Sequence, residues 1–266
     1  MATDERVAPK SISSLQYTPT VKRQRLPLRE AALLAFYHLR LLNWWLFLLM
    51  LFGFVGVGAL VWLQLHIGGA QGQNNAIELS LFAIEAGAGL FAGILTSSLI
   101  VNDAALEVTM VTREGIHKVV AWRYLLTLFL LLLYSAAYLA WSLANQISYA
   151  KLQSLLFLLL LWLVPVLLMS MLGLFGSLIT RNAPLGMAIA AIPLGGSLFL
   201  YEKLYPIQAT RPFFLAYTYL HHAYSGGQNV PDWWTNHLAL LGIALVFAIW
   251  NWWLLRSEEH LLGNGQ

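Results

Sequence analysis

The chain has 266 residues, 59% of them hydrophobic and 10% charged, with a mean hydropathy of +0.67. A soluble domain carries roughly a quarter charged residues, so this composition argues against a water-soluble fold and for one polytopic membrane domain. There is no cysteine, which removes disulfide and thiol chemistry, and the net charge of +3 matters less than where the charges lie.

The first 43 residues mix Asp4, Glu5, Arg6, Lys10, Lys22, Arg23, Arg25, Arg29, Glu30 and Arg40. That is too long and too mixed for the n-region of a signal peptide, and no small-residue cleavage site follows the first span. Residues 1–26 are therefore read as a flexible cytoplasmic N-terminus and the first span as a retained anchor. Residues 27–43, PLREAALLAFYHLRLLN, run into Trp45 with Leu34, His38 and Leu41 at helical spacing. This predicts an interfacial helix on the inner leaflet.

Six windows reach the ~18–20 apolar residues needed to cross a bilayer. They are 44–67, 78–101, 117–144, 153–179, 183–203 and 236–255. The predicted fold class is an all-α membrane protein, a polytopic bundle of six transmembrane helices. With six spans, twelve of the lysines and arginines fall on the side of the N-terminus and three, Lys151, Lys203 and Arg211, on the other. The positive-inside rule then places both termini in the cytoplasm and predicts a multi-pass protein of the cell membrane. Trp44 and Trp62 stand eighteen residues apart, as do Trp234 and Trp252. That is about 27 Å of helix, matching aromatic belts at two interfaces.

Between the second and third windows lies VNDAALEVTMVTREGIHKVVAWRY, far longer than a turn requires. Asn102 or Asp103 is a good N-cap, and Asp103 and Glu107 suit a helix start. Residues 104–111 then make two turns, Thr112–Gly115 break them, and a second helix restarts at Ile116. A face that meets only water has no need of Leu106, Met110 and the flanking valines, whereas a helix docked into another protein does.

The fifth window holds Pro184, Pro193, Gly195 and Gly196, which predicts a span bent or broken near Pro193. Between spans five and six, PFFLAYTYLHHAYSGG is apolar and aromatic but too short to cross. It predicts an outer re-entrant or interfacial helix over 212–227, stopped by Gly226 and Gly227. Residues 257–266 form a cytoplasmic tail.

Chemistry-bearing motifs are few. GxxxxGK[ST] is absent, and Gly87, Gly89 and Gly93 lie inside a span, where small residues let helices approach. His221, His222, Asp232 and His237 lack metal-ligand spacing and read as interfacial polar residues, with a metal site as the alternative. Gly195-Gly196-Ser197 lacks the glycine of a nucleophile elbow and reads as helix packing at a kink. Glu258, Glu259 and His260 read as a solvated run. Glu85 sits inside the second window, where an ionisable group is costly and faces a cavity, a pathway or a partner. Two readings stand: it lines an outer vestibule or contacts substrate, or it is structural, paired with Lys203 or Arg211 or held protonated.

Taken together, this layout resembles the permease subunits of type-2 ABC (ATP-binding cassette) exporters. The resemblance rests on Asp103 after the second span, then Leu106-Glu107-Val108 and Met110-Val111, then Arg113 and Lys118. It rests also on the helix 27–43, the outer segment 212–227 and the closing WWLLRSEEHLL. The turn Thr112–Gly115 departs from the proline-containing turn common in that family.

The resemblance implies a permease domain over 27–256 and a dimer of two such chains, alike or different. It implies a separate ATPase subunit that carries ATP and Mg, with no cofactor and no nucleic acid bound by this chain. Asp103, Leu106, Glu107, Met110 and Arg113 would couple to that ATPase. Phe213, Phe214, Tyr217 and Leu220 would gate the outer exit, and Glu85 would line the path. The rival classes are a channel, scaffold or assembly factor, which has no need of a docking loop, and an intramembrane enzyme, which needs more polar groups at membrane depth than Glu85 offers.

Overall fold

A computed structural model describes residues 44–100, 116–147, 155–225, 230 and 232–263. The N-terminus 1–26, the predicted interfacial helix 27–43, the loop residues Asp103, Leu106, Glu107, Met110 and Arg113, and the glycines Gly226 and Gly227 lie outside the described residues. Among the described residues every regular element is helical. They are α1 (Trp44–Ile67), α2 (Gly69–Leu81), a π-helical turn (Phe82–Gly87), α3 (Ala88–Ser97), α4 (Ile116–Ala144), α5 (Leu155–Thr180), α6 (Ala183–Leu204), a 3-10 turn (Gln208–Phe213), α7 (Tyr217–Ser225) and α8 (Trp233–Gly263).

Six helices are long and apolar enough to cross a membrane, with the second span formed by α2, the π turn and α3 in series. The second and fourth spans are 67% and 56% buried within the protein, whereas the other four are 22–28% buried. The inner pair therefore forms the centre, and the outer four present leucine, phenylalanine and tryptophan to their surroundings, Trp62, Trp234 and Trp252 among them.

Small residues set the closeness of that central pair. A Cβ on Gly173 of α5 would collide with the Gly93 carbonyl oxygen of α3. With the backbones this near, Thr96 Oγ1 donates to Ser170 O at 2.8 Å, and Tyr124 of α4 meets Ser170 Oγ at 2.7 Å. Asn251 of α8 donates to Met171 O at 2.9 Å. Such polar contacts matter in a bundle whose apolar faces gain little by leaving lipid for protein.

The structure departs from the predicted boundaries in five places. The second candidate span begins at Gln71 rather than 78, in a helix that starts at Gly69, and ends at Ser97 rather than 101. Low hydropathy hid GAQGQNNA, which is helical because Gly69 turns the chain at φ 58° and Gly72 packs where any Cβ would strike the Gln64 carbonyl. The fifth span is not broken at Pro193: α6 runs through it, since proline's φ fits a helix and only one backbone bond is forfeited. Pro165 sits inside α5 in the same way.

Gly195 and Gly196 are not packing points, because a Cβ on either meets nothing within 4 Å. The outer segment is not one helix from 212; a 3-10 turn and Ala216, at φ 55°, precede α7. Finally, α8 continues past 255 to Gly263, taking residues 257–263 of the predicted tail into the last helix.

At the opposite end of the second span, Arg123 of α4 is buried and its Nη1 donates to Leu99 O at 3.4 Å, just past the end of α3. A cation among the last carbonyls of a helix is favourably placed. This contact joins the second span to the third.

Candidate functional site

Glu85 lies on the π turn, sixteen residues along the second span from Gly69, or about 24 Å, and its side chain is 2% exposed. A buried carboxylate is stable only with donors around it. Oε1 accepts the Thr218 N–H at 3.3 Å and Oε2 accepts the Tyr219 N–H at 2.8 Å. These are the second and third residues of α7, whose first internal bond runs from Leu220 N to Ala216 O at 3.0 Å.

The first N–H groups of a helix have no internal acceptor, and the side chain at the N-cap normally supplies one. Here the residue before the helix is Ala216, which has none. Glu85 supplies the missing acceptor from another span. The structure thus sets Glu85 against a helix N-terminus rather than against Lys203 or Arg211. Arg211 pairs with Asp232 at 3.3 Å instead.

The rest of the outer segment is tethered to two further spans. Ser197 of α6 donates to Pro193 O at 2.8 Å and accepts the Leu215 N–H at 2.9 Å, so its hydroxyl bridges α6 and the segment before α7. Asn236, in the first turn of α8, is fully buried, and its amide reaches Arg211 O, Pro212 O and Phe214 O at 3.2, 3.2 and 2.9 Å. Trp233 Nε1 donates to Thr218 Oγ1 at 3.2 Å.

Of the candidate pathway residues, Phe214, Tyr217 and Leu220 are buried together with Tyr201 of α6. The Phe214 and Tyr201 rings lie 5.1 Å apart. Phe213 does not join them; it is 60% exposed at the end of the 3-10 turn. Burial, reinforced by Tyr205, pushes the Tyr217 phenol above its ordinary range, so it stays neutral.

The polar residues weighed as a metal site diverge. Tyr205 Oη lies 3.2 Å from His221 Nδ1, His222 faces Glu78 at 3.6 Å, and His237 stacks on Trp233 at 3.8 Å. No group of three possible ligands converges among the described residues.

Sequence reasoning found Glu85 from its charge but missed what it binds. Two of the donors are backbone N–H groups, which carry no sequence signature. It also missed Asn236, although a lone amide near the start of an apolar span was a legible signal, and the π turn, which left none. Comparison with family models, with curated proteins and with solved structures finds no match to this chain.

Proposed function

We propose that the chain is the transmembrane permease subunit of an ATP-driven exporter in the cell membrane, with both termini cytoplasmic. In this reading it pairs with a second permease chain and couples through its 103–114 loop to a separate ATPase that holds ATP and Mg. The observation that carries the reading is the second span. It leads at one end into the charged loop and at the other holds the outer helix α7 through Glu85. It is also the most buried of the six, so it moves with its neighbours rather than alone.

A push on the loop then travels through Arg123 and Leu99 into α3 and α4. The second span carries it to Glu85, and α7 shifts with the buried Phe214, Tyr217 and Leu220. We read 208–225 as a re-entrant outer gate because its backbone N–H groups meet Glu85 about 12 Å along the helix past the polar residues 69–77. Interfaces with two packed arrangements turn a small displacement into a switch of this kind. The absence of GxxxxGK[ST] in the sequence is the reason to place ATP hydrolysis on a partner.

The test is purification of the tagged chain from its native membrane. A Walker A ATPase is expected in stoichiometric amount, together with a second permease chain. Recovery of the chain without any ATPase would remove the basis of the proposal.

A further inference from the structure

Beside α7, on the Gly69 side of Glu85, the ends of α1 and α2 enclose a second feature. A cleft of about 420 Å³ is lined by Gln64, Asn75, Glu78, Leu79, Phe82 and Tyr219. We propose that this cleft is a binding site for an organic ammonium ion bearing polar substituents.

Glu78 supplies the one formal charge among the six lining residues and is partly exposed. Its sign excludes phosphates and carboxylates and favours a cation. Phe82 and Tyr219 stand edge to face, with ring centroids 5.2 Å apart. Aromatic faces beside a carboxylate are the surroundings in which alkylammonium groups bind, through the ring quadrupole as well as the charge. Burial first, and Glu78 second, raise the Tyr219 phenol above its ordinary range, so the ring stays neutral and does not add a competing anion.

The amides of Gln64 and Asn75, 3.4 Å apart, offer carbonyl oxygens and N–H groups to hydroxyl or amine substituents. The volume falls within the range of small-molecule sites. His222 Nδ1 is buried without a hydrogen-bond partner, 3.6 Å from the Glu78 carboxylate. Tyr219 belongs to both sites, since its ring lines the cleft while its N–H meets Glu85.

The proposal stands apart from the exporter reading, because it concerns binding to this chain alone, and its failure leaves that reading intact. The test uses the purified full chain in phosphatidylglycerol nanodiscs at about pH 8. Choline and ethanolamine are the probes, and the neutral analogue of choline, with carbon in place of the charged nitrogen, is the control. Saturable binding of at least one ammonium is expected, with the neutral analogue at least tenfold weaker.

Glu78→Gln should lower ammonium affinity about tenfold or more, and Phe82→Leu about threefold, in protein that remains monodisperse. No saturable binding of either ammonium overturns the site, as does equal binding of the neutral analogue or unchanged affinity in Glu78→Gln. The same titration with phosphatidylcholine added to the nanodiscs identifies the natural source. Competition marks a lipid headgroup and its absence a free solute, and both results keep the ammonium site.

Discussion

At the scale of single residues, Glu85 is the most consequential side chain described. Its removal orphans two N–H groups at the start of α7, one in a buried bond and one in a part-buried bond. Glu85→Ala is expected to cost about 2–3 kcal/mol, from the penalty of about 1–3 kcal/mol for an unmade buried hydrogen bond. Glu85→Gln keeps one acceptor oxygen and should cost less. Thermal unfolding of the purified protein in detergent checks both, and equal melting of Glu85→Ala and the parent would show that α7 is held elsewhere.

Gly173 gives the complementary case. A methyl group there meets the Gly93 carbonyl, so Gly173→Ala should destabilise by about 1–3 kcal/mol through overpacking, read in the same melt. The two residues differ in how openly the sequence announced them. An acid inside an apolar window stands out because its burial needs a reason. A glycine in a span does not reveal which carbonyl it faces: Gly93 lies in a tight seam, while Gly195 and Gly196 face open space. Only the fold separates those cases.

At the scale of elements, the outer connection between spans five and six is held by Glu85, Ser197 and Asn236 from three different spans. The chain has no native cysteine, so single cysteines report without background. A cysteine at Phe213, which is 60% exposed, should react quickly with a membrane-impermeant maleimide added outside intact cells, and one at Leu220, which is 1% exposed, should not. Adding Glu85→Ala to the Leu220 cysteine should raise its labelling several-fold, because α7 loses its cap. Labelling of the Phe213 cysteine only after the cells are opened would reverse the proposed orientation.

Hydropathy made the six spans legible, and it failed where structure and hydropathy part company. The residues 69–77 are polar yet helical, since a helix extending beyond the apolar layer needs no apolar face. Pro193 looked like a break because a missing donor is visible in sequence, whereas the surrounding helix that absorbs the loss is not. The helix α7 was seen as an apolar stretch, but its cap was invisible, since the acceptor lies more than a hundred residues away in the chain.

At the scale of the whole molecule, the second span runs between the 101–115 segment and α7, and Arg123 ties that span to the third. Disruption of this tie should weaken coupling, and the choice of replacement decides whether stability falls with it. Arg123→Gln keeps a donor near Leu99 O and is expected to preserve folding, while Arg123→Leu should weaken both stability and coupling. Assembly with the ATPase, followed by its hydrolysis rate, separates these two effects.

The central claim is that force enters through the 103–114 loop. Its most direct measurement is ATP hydrolysis by the purified complex of permease and ATPase, comparing the parent with Glu107→Ala combined with Met110→Asp. The account predicts that the double variant keeps its thermal stability and its Phe213-cysteine labelling. It should lose most of the bound ATPase and at least about tenfold of the coupled hydrolysis, the equivalent of one docking contact of ~1.4 kcal/mol. Full complex formation with undiminished hydrolysis in that variant would contradict it.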